Sequence, residues 1–514
     1  MSFARVFSAQ PVLLDAHIIT VEIDFVQGLH AFSVVGLADK AVEESRDRVS
    51  AAIKNTKFRK YDPEFEPPKR FNRKITVSLA PANVKKEGPM FDLPIAVAYL
   101  VSTGELPDVG ERALFLGELA LDGTLRRVRG VLPLVQKARN EGFAEVFLPE
   151  ENAEEAALID GIAIYGARSL KDVLEHLRKE KGSASLKTHP KTTYRARAPE
   201  RTVNLEDVRG HDHAKRGLIV AAAGGHNIAL YGPPGTGKTM LAQAFRGLLP
   251  PLSEDEALEV TGIHSIAGAL NETLITYPPL RAPHHTSSYV SLVGGGTTPK
   301  PGEVTLAHKG VLFLDEFPEF DRRVINALRQ PLEDGVVSIS RAKGTALFPS
   351  DFILIAAMNP CPCGHFGSSK CTCSGSALQR YRQKISGPIM DRIDMWIEVG
   401  AIDHKRLSEK RVRTKETQDA REIIARAREA QEARFKKHGR LNSGMSSRGL
   451  EHHVPLTAHI TKVLNAAAER MGLSPRAYHR CIKLARTVAD LGSAKDITED
   501  HMLEALQYRP KQDW

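Results

Sequence analysis

The chain has 514 residues, 42% of them hydrophobic and 26% charged. This is the balance of a soluble globular protein with material for about two to four domains. Its longest apolar runs, Val311–Leu314 and Phe352–Met358, are far too short to span a bilayer. Met1–Gln10 has none of the charge and apolar stretch of a signal peptide, so a cytoplasmic protein with no membrane partner is expected. The net charge of +9 suits a polyanionic partner, and equally a solvated basic surface.

Residues 1–180 alternate apolar runs (Ile18–Phe25, Phe32–Val35, Lys74–Leu79, Glu145–Leu148) with helical patterns (Lys40–Lys54, Ile95–Thr103, Leu132–Glu141). That pattern predicts one α/β domain. Residues 181–203 are basic, rich in Ser, Thr and Pro, and carry no apolar period; they are expected to be a linker. Residues 204–400 alternate again, with short apolar runs typical of strands buried on both faces of a parallel sheet. Residues 401–514 are expected to be helical over Lys415–Lys437, Leu456–Met471, Pro475–Leu491 and Thr498–Tyr508. Ser474 and Thr498 are placed as N-caps and Pro475 at a first helical position.

Gly232-Pro233-Pro234-Gly235-Thr236-Gly237-Lys238-Thr239 matches G-x-x-x-x-G-K-[ST] between a strand (Asn227–Tyr231) and a helix (Met240–Leu249), the setting a phosphate loop requires. Gly235 and Gly237 let the backbone turn so that N–H groups converge on phosphate oxygens, and the helix adds its positive end. Lys238 is expected on the β- and γ-phosphates of ATP and Thr239 on Mg²⁺. In Val311-Leu-Phe-Leu-Asp315-Glu316 two carboxylates emerge from a buried strand. Asp315 is placed near the metal and Glu316 at the attacking water. The run Phe352–Met358 ends at Asn359-Pro360; Asn359 either positions that water or simply forms a turn. Arg392 and Arg476 are two of many cations that could face the γ-phosphate.

Longer motifs narrow these choices. Arg209–Arg216, the phosphate loop, Arg281-Ala-Pro-His-His285, Leu292–Gly296 and Pro301–His308 resemble magnesium-chelatase-like AAA+ ATPases. With Met358–Gly364 and Arg486–Leu491 the similarity narrows to the YifB/ComM family and covers essentially the whole chain. The resemblance implies a P-loop AAA+ core with a helical lid, working as a homo-oligomeric ring of six with ATP between neighbours. It implies Glu316 as catalytic glutamate, Asn359 as first sensor, Arg392 as arginine finger, Arg476 as second sensor, and Val208–Gly210 near the adenine. It also implies a DNA helicase that drives branch migration when incoming DNA is recombined. A magnesium-chelatase-type remodeller of a protein partner is the alternative.

Val336–Ser340 and Ala346–Phe348 could pair as a hairpin with Arg341, Lys343 and Gly344 near its tip. In related ring motors such a hairpin enters the pore, where cations suit single-stranded or branched DNA; a solvent-exposed turn with ordinary surface charges is the alternative. Residues 401–440 carry 13 Lys/Arg and 7 Asp/Glu, a surplus of six. They read either as a second DNA contact or as a solvated helix face with ion pairs.

Five cysteines are too few for a disulfide scaffold in a chain this long, and four fall within 361–373. Cys361, Cys363, Cys371 and Cys373 form C-x-C…C-x-C, which could close a tetrahedral Zn²⁺ site, with His365 able to replace one thiolate. Reduced thiols or a redox pair are the alternative.

Residues 1–180 resemble the Lon-protease-like (ribosomal protein S5 domain 2-like) α/β domain, through Lys86–Asp92 and Gly117–Leu132. The expected nucleophile position holds Met90 and the expected lysine position Leu132. Neither can attack or activate, so a non-proteolytic binding or assembly module is expected.

Overall fold

The computed structural model describes residues 3–510 except 30, 57–67, 69–72, 179–184, 197–202, 271, 297–299, 342–343, 386 and 402–414. The chain divides into two compact units, residues 1–195 with 257–275, and residues 196–256 with 276–514.

In the first unit the alternating apolar residues form a seven-stranded sheet. Its strands are β1 (Phe3–Val12), β2 (Asp15–Gln27), β3 (Ala31–Val35), β4 (Arg73–Ala80), β5 (Ala113–Phe115), β6 (Glu145–Pro149) and β7 (Ala163–Ala167). Their order is β3-β4-β2-β1-β5-β6-β7. β1 and β2 pair antiparallel from Phe3↔Asp24 to Val12↔Asp15, whereas β5, β6 and β7 run parallel. Helices α1 (Ser45–Asn55), α2 (Asp92–Ser102) and α3 (Val131–Asn140) accompany the sheet. Every residue of α2 is buried, so its apolar sequence needs no amphipathic period. Met90 and Leu132 both lie in the apolar core. Residues 185–195 have no apolar period to bury. They are held instead by backbone bonds, His189 N–H to Ile164 O (2.7 Å) and Thr192 N–H to Ala157 O (3.0 Å).

The second unit is built on a five-stranded parallel sheet. Its strands are β8 (Ile228–Tyr231), β9 (Leu280–Arg281), β10 (Val311–Leu314), β13 (Ile353–Met358) and β14 (Met395–Glu398), in the order β9-β10-β13-β8-β14. The antiparallel ribbon β11 (Val336–Arg341) and β12 (Gly344–Pro349) lies between β10 and β13 in sequence, with Arg341 opposite Gly344 at its turn. All four residues of β8 and of β10 are buried, as expected of strands covered on both faces. Tyr231 pairs with Met358 and Leu314 with Ala356. The carboxyl ends of β8, β10 and β13 therefore emerge side by side, where open α/β sheets bind ligands.

Helices α4 (Asp212–Gly224) and α5 (Lys238–Leu248) flank β8, and α6 (Glu254–Ala267) passes into the first unit at residue 257. The later helices are α7 (Gly375–Lys384), α8 (Glu416–Phe435), α9 (Ala458–Met471), α10 (Pro475–Leu491) and α11 (Glu499–Gln507). Ser474 Oγ accepts the Ala477 N–H at 3.2 Å, capping α10 with Pro475 in its first turn. Cys481, Leu484, Ala485 and Val488 of α10 share one core with Ile228 and Leu230 of β8. Burial pushes the Cys481 thiol up to about 11; it is a packing residue.

Helix α8 shows what its cations do. Arg428 is half-buried and donates through Nε (3.1 Å) and Nη2 (2.6 Å) to Ala222 O at the end of α4. Gln431 donates to Ala223 O at 3.0 Å, and Arg434 pairs with Asp490 of α10. Arg421 donates to Gly247 O near the end of α5. These cations satisfy the carbonyls and negative poles of neighbouring helices. The charge surplus noted for 401–440 is thus partly internal; residues 402–414 lie outside the described ones.

Candidate nucleotide and metal sites

The phosphate loop connects β8 to α5. Gly235 and Gly237 have φ of +76° and +91°, a region glycine enters without steric cost. The chain turns there into α5, whose first N–H groups have no intrahelical acceptor, so its N-terminal end is positive. Lys238 is buried, its Nζ donating to Gly232 O and Pro233 O at 2.8 Å each and to Asn359 Oδ1 at 3.1 Å. Burial holds its pKa below the ordinary lysine value, and Asp315 opposes that shift. Thr236 Oγ1 donates to Pro233 O at 2.9 Å. Val208 is buried, and Gly210 (φ +61°) turns the chain so that His211 Nε2 lies 2.9 Å from Thr236 O. The segment 208–210 therefore adjoins the loop.

Thr239 Oγ1 donates to Asp315 Oδ2 at 2.8 Å, and Asp315 Oδ1 accepts the Glu316 N–H at 2.9 Å. Hydroxyl and carboxylate oxygens are the hard donors that fit Mg²⁺. Bound there, Mg²⁺ would neutralise charge on the β- and γ-phosphates. Glu316 has φ +51°, a left-handed conformation that costs a non-glycine residue about 1–3 kcal/mol and gathers at functional sites. Its side chain is 57% exposed, with Oε2 2.9 Å from His285 Nδ1. Lys238, Thr239, Asp315, Glu316 and Asn359 are thus brought to the ends of three adjacent strands.

Arg392 and Arg476 gather elsewhere, on Glu333. The Arg392 guanidinium, almost fully buried, pairs with Glu333 Oε1, and Arg476 Nη2 lies 3.0 Å from the same oxygen. Hydrogen bonding to Arg392 is the largest of the causes holding the Glu333 carboxyl below its usual range. The sequence reading missed Glu333, His285 and His211. The pair His284-His285 lies within the Arg281–His285 motif, but nothing in its spacing gives it a partner, and Glu333 lies far in sequence from both arginines. Of the ribbon cations, Arg341 ends β11 and Lys343 lies outside the described residues.

The cysteines converge. The Sγ atoms of Cys361, Cys363, Cys371 and Cys373 all lie within 4.8 Å of one another. Three of the separations are 3.4, 4.0 and 3.7 Å. Zn–S bonds of about 2.3 Å in a tetrahedron set sulfurs about 3.8 Å apart, so the four thiols fit the ion. They are too far apart for a disulfide, whose sulfurs lie about 2.05 Å apart. Backbone N–H groups of His365 and Thr372 pull the Cys363 thiol down to about 6; the backbone N–H of Cys363 lowers the Cys373 thiol, but burial and the neighbouring thiols together outweigh it and push it up to about 12.

A phosphate loop, a strand-end acid pair and a polar residue on the strand between them define an AAA+ ATPase-type protein. Three family models match: "Magnesium chelatase, subunit ChlI" over 204–407, "Subunit ChlI of Mg-chelatase" over 21–152, and "Magnesium chelatase, subunit ChlI C-terminal" over 414–509. The chain is 41% identical over 511 residues to Competence protein ComM of Haemophilus influenzae, covering 99% of this chain and 98% of that protein. It is 39% identical over 512 residues to the uncharacterized protein YifB of Escherichia coli, covering 99% and 97%. Over 189 residues it is 26% identical to the magnesium-chelatase 67 kDa subunit of Heliobacterium mobile, covering 31% and 28%. The chain belongs to the YifB/ComM family of magnesium-chelatase-like AAA+ ATPases. Among the described residues no helix is long and apolar enough to cross a membrane.

Proposed function

We propose that the chain hydrolyses ATP with Mg²⁺ in a homo-oligomeric ring, and that turnover drives movement of DNA, as in branch migration when incoming DNA is recombined. The observation that carries the ATPase reading is the meeting of Lys238 with Asn359 and of Thr239 with Asp315. In this reading the loop and Lys238 grip the phosphates, and Thr239 and Asp315 hold the metal. Glu316 takes the proton of the attacking water, and Asn359 orients that water. Arg392 acts on a neighbouring subunit's nucleotide, and Arg476 senses its own. Release of both from Glu333 then accompanies assembly or nucleotide binding. The four thiols are read as a structural Zn²⁺ site.

Support for DNA comes from the relative described as a competence protein, the net charge of +9 and the ribbon β11–β12, whose sequence includes Arg341 and Lys343. The test is the ATPase rate against single-stranded, duplex and branched DNA at low salt, with protein concentration varied. Branched or single-stranded DNA is expected to stimulate turnover and salt to weaken the effect. Rates and binding indifferent to all three would refute the DNA reading. The same null result would favour remodelling of a protein partner, which the magnesium-chelatase family models support.

The first unit is read as a Lon-like fold without protease chemistry, since Met90 and Leu132 are core residues. It is proposed to bind or assemble rather than cleave.

A further inference from the structure

The four-cysteine loop touches both halves of the nucleotide site. It leaves β13 directly after Asn359, whose Oδ1 accepts from Lys238 Nζ, and its first thiol, Cys361, is buried. Asn359 O also accepts the hydroxyl of Tyr381 in α7 at 3.0 Å. That helix begins at Gly375, just after Cys373, and is capped by Ser374 Oγ on the Ala377 N–H. Arg382 of α7 stacks over Phe366 of the loop at 5.4 Å. On its other side the loop presses on the phosphate loop itself. Gly364 has φ +79°, and a Cβ placed on it would lie 2.6 Å from Cδ of Pro234. Only glycine lets the two loops approach this closely. A loop with so few apolar anchors needs an organiser, and the four thiols offer one.

We propose that one Zn²⁺ held by Cys361, Cys363, Cys371 and Cys373 forms a wall of the nucleotide site. The ion fixes Gly364 against Pro234 and sets the position of Asn359, so metal loading and nucleotide affinity are linked. This rests on the phosphate-loop reading above. The linkage is reciprocal: whatever factor the metal adds to nucleotide affinity, nucleotide adds to metal affinity.

The test uses the full-length chain, purified under reducing conditions without added metal. Zinc is measured by elemental analysis, and affinity by anisotropy of a fluorescent ATP analogue. The measurements are made before chelation, after it, and after zinc is restored. One zinc per chain is expected, with nucleotide binding at least about fivefold weaker after chelation and recovered on adding zinc. Gly364→Ala keeps all four thiols and is expected to retain zinc while binding nucleotide more weakly. Absence of zinc, even after anaerobic reconstitution, overturns the metal site and the linkage together. Zinc present, with equal affinity in loaded, stripped and Gly364→Ala protein, overturns the linkage and leaves the metal site standing. If stripped protein unfolds, Gly364→Ala decides alone, unchanged affinity being the contrary result. Zinc-loaded wild-type protein that binds no nucleotide overturns both the linkage and the phosphate-loop reading.

Discussion

Lys238 Nζ donates to three oxygens. Two are carbonyls of its own loop and the third is Asn359 Oδ1. Lys238→Ala is expected to abolish nucleotide binding, measured with a fluorescent ATP analogue. Glu316 differs. It bonds to no residue of the loop, and its left-handed backbone and contact with His285 set its direction. Glu316→Gln keeps the shape and removes the carboxylate proposed as the base. It is expected to bind ATP with near wild-type affinity and hydrolyse it about 100-fold or more slowly. Phosphate release under single turnover checks this. Residue types at the strand ends were legible in the sequence because a glycine-rich loop and an acid pair after four buried apolar residues have few other uses. The His285 contact and the sharing of Glu333 were not, since they depend on distances between segments that no period connects.

At the scale of elements, buried ion pairs join the sheet to the C-terminal helices. Asp394, at the entrance to β14, is buried against Arg480 of α10, accepts the Asn227 N–H at 3.0 Å and lies 3.6 Å from His226 Nδ1. Burial pushes its pKa up, but Arg480 and His226 outweigh that and hold it well below the usual carboxylate range. An acid whose folded pKa is depressed stabilises the fold fully above the unfolded value of about 3.9. That stability is lost as pH falls through the folded value. Asp394→Asn is therefore expected to cost about 2–4 kcal/mol at neutral pH and to flatten the loss of stability below about pH 4. Urea melts at several pH values measure both. Arg428→Ala, which strips the end of α4, is expected to cost about 1–3 kcal/mol. Elements with a strong apolar signal, periodic in α10 and continuous in β10, stand where the pattern put them. The roles of the α8 cations did not show, because a charged residue facing a helix end looks the same in sequence as one facing water.

The whole molecule raises the question of assembly. Arg392 is almost fully buried on Glu333 in the single chain, so a finger reaching a neighbour must first leave that carboxylate. Arg392→Ala is expected to bind ATP yet lose turnover, and mixing it with wild-type subunits is expected to depress activity more steeply than its mole fraction. A linear fall on mixing would count against shared sites. The joint between the cysteine loop and the phosphate loop makes metal content a variable in any such assay, so zinc is best quantified in each preparation.

The most direct test of the catalytic assignment is steady-state phosphate release from ATP by wild-type protein and by Glu316→Gln, at nucleotide concentrations saturating for both. The site described here predicts turnover in the wild type and almost none in the variant despite retained binding. Equal rates in the two proteins would contradict it.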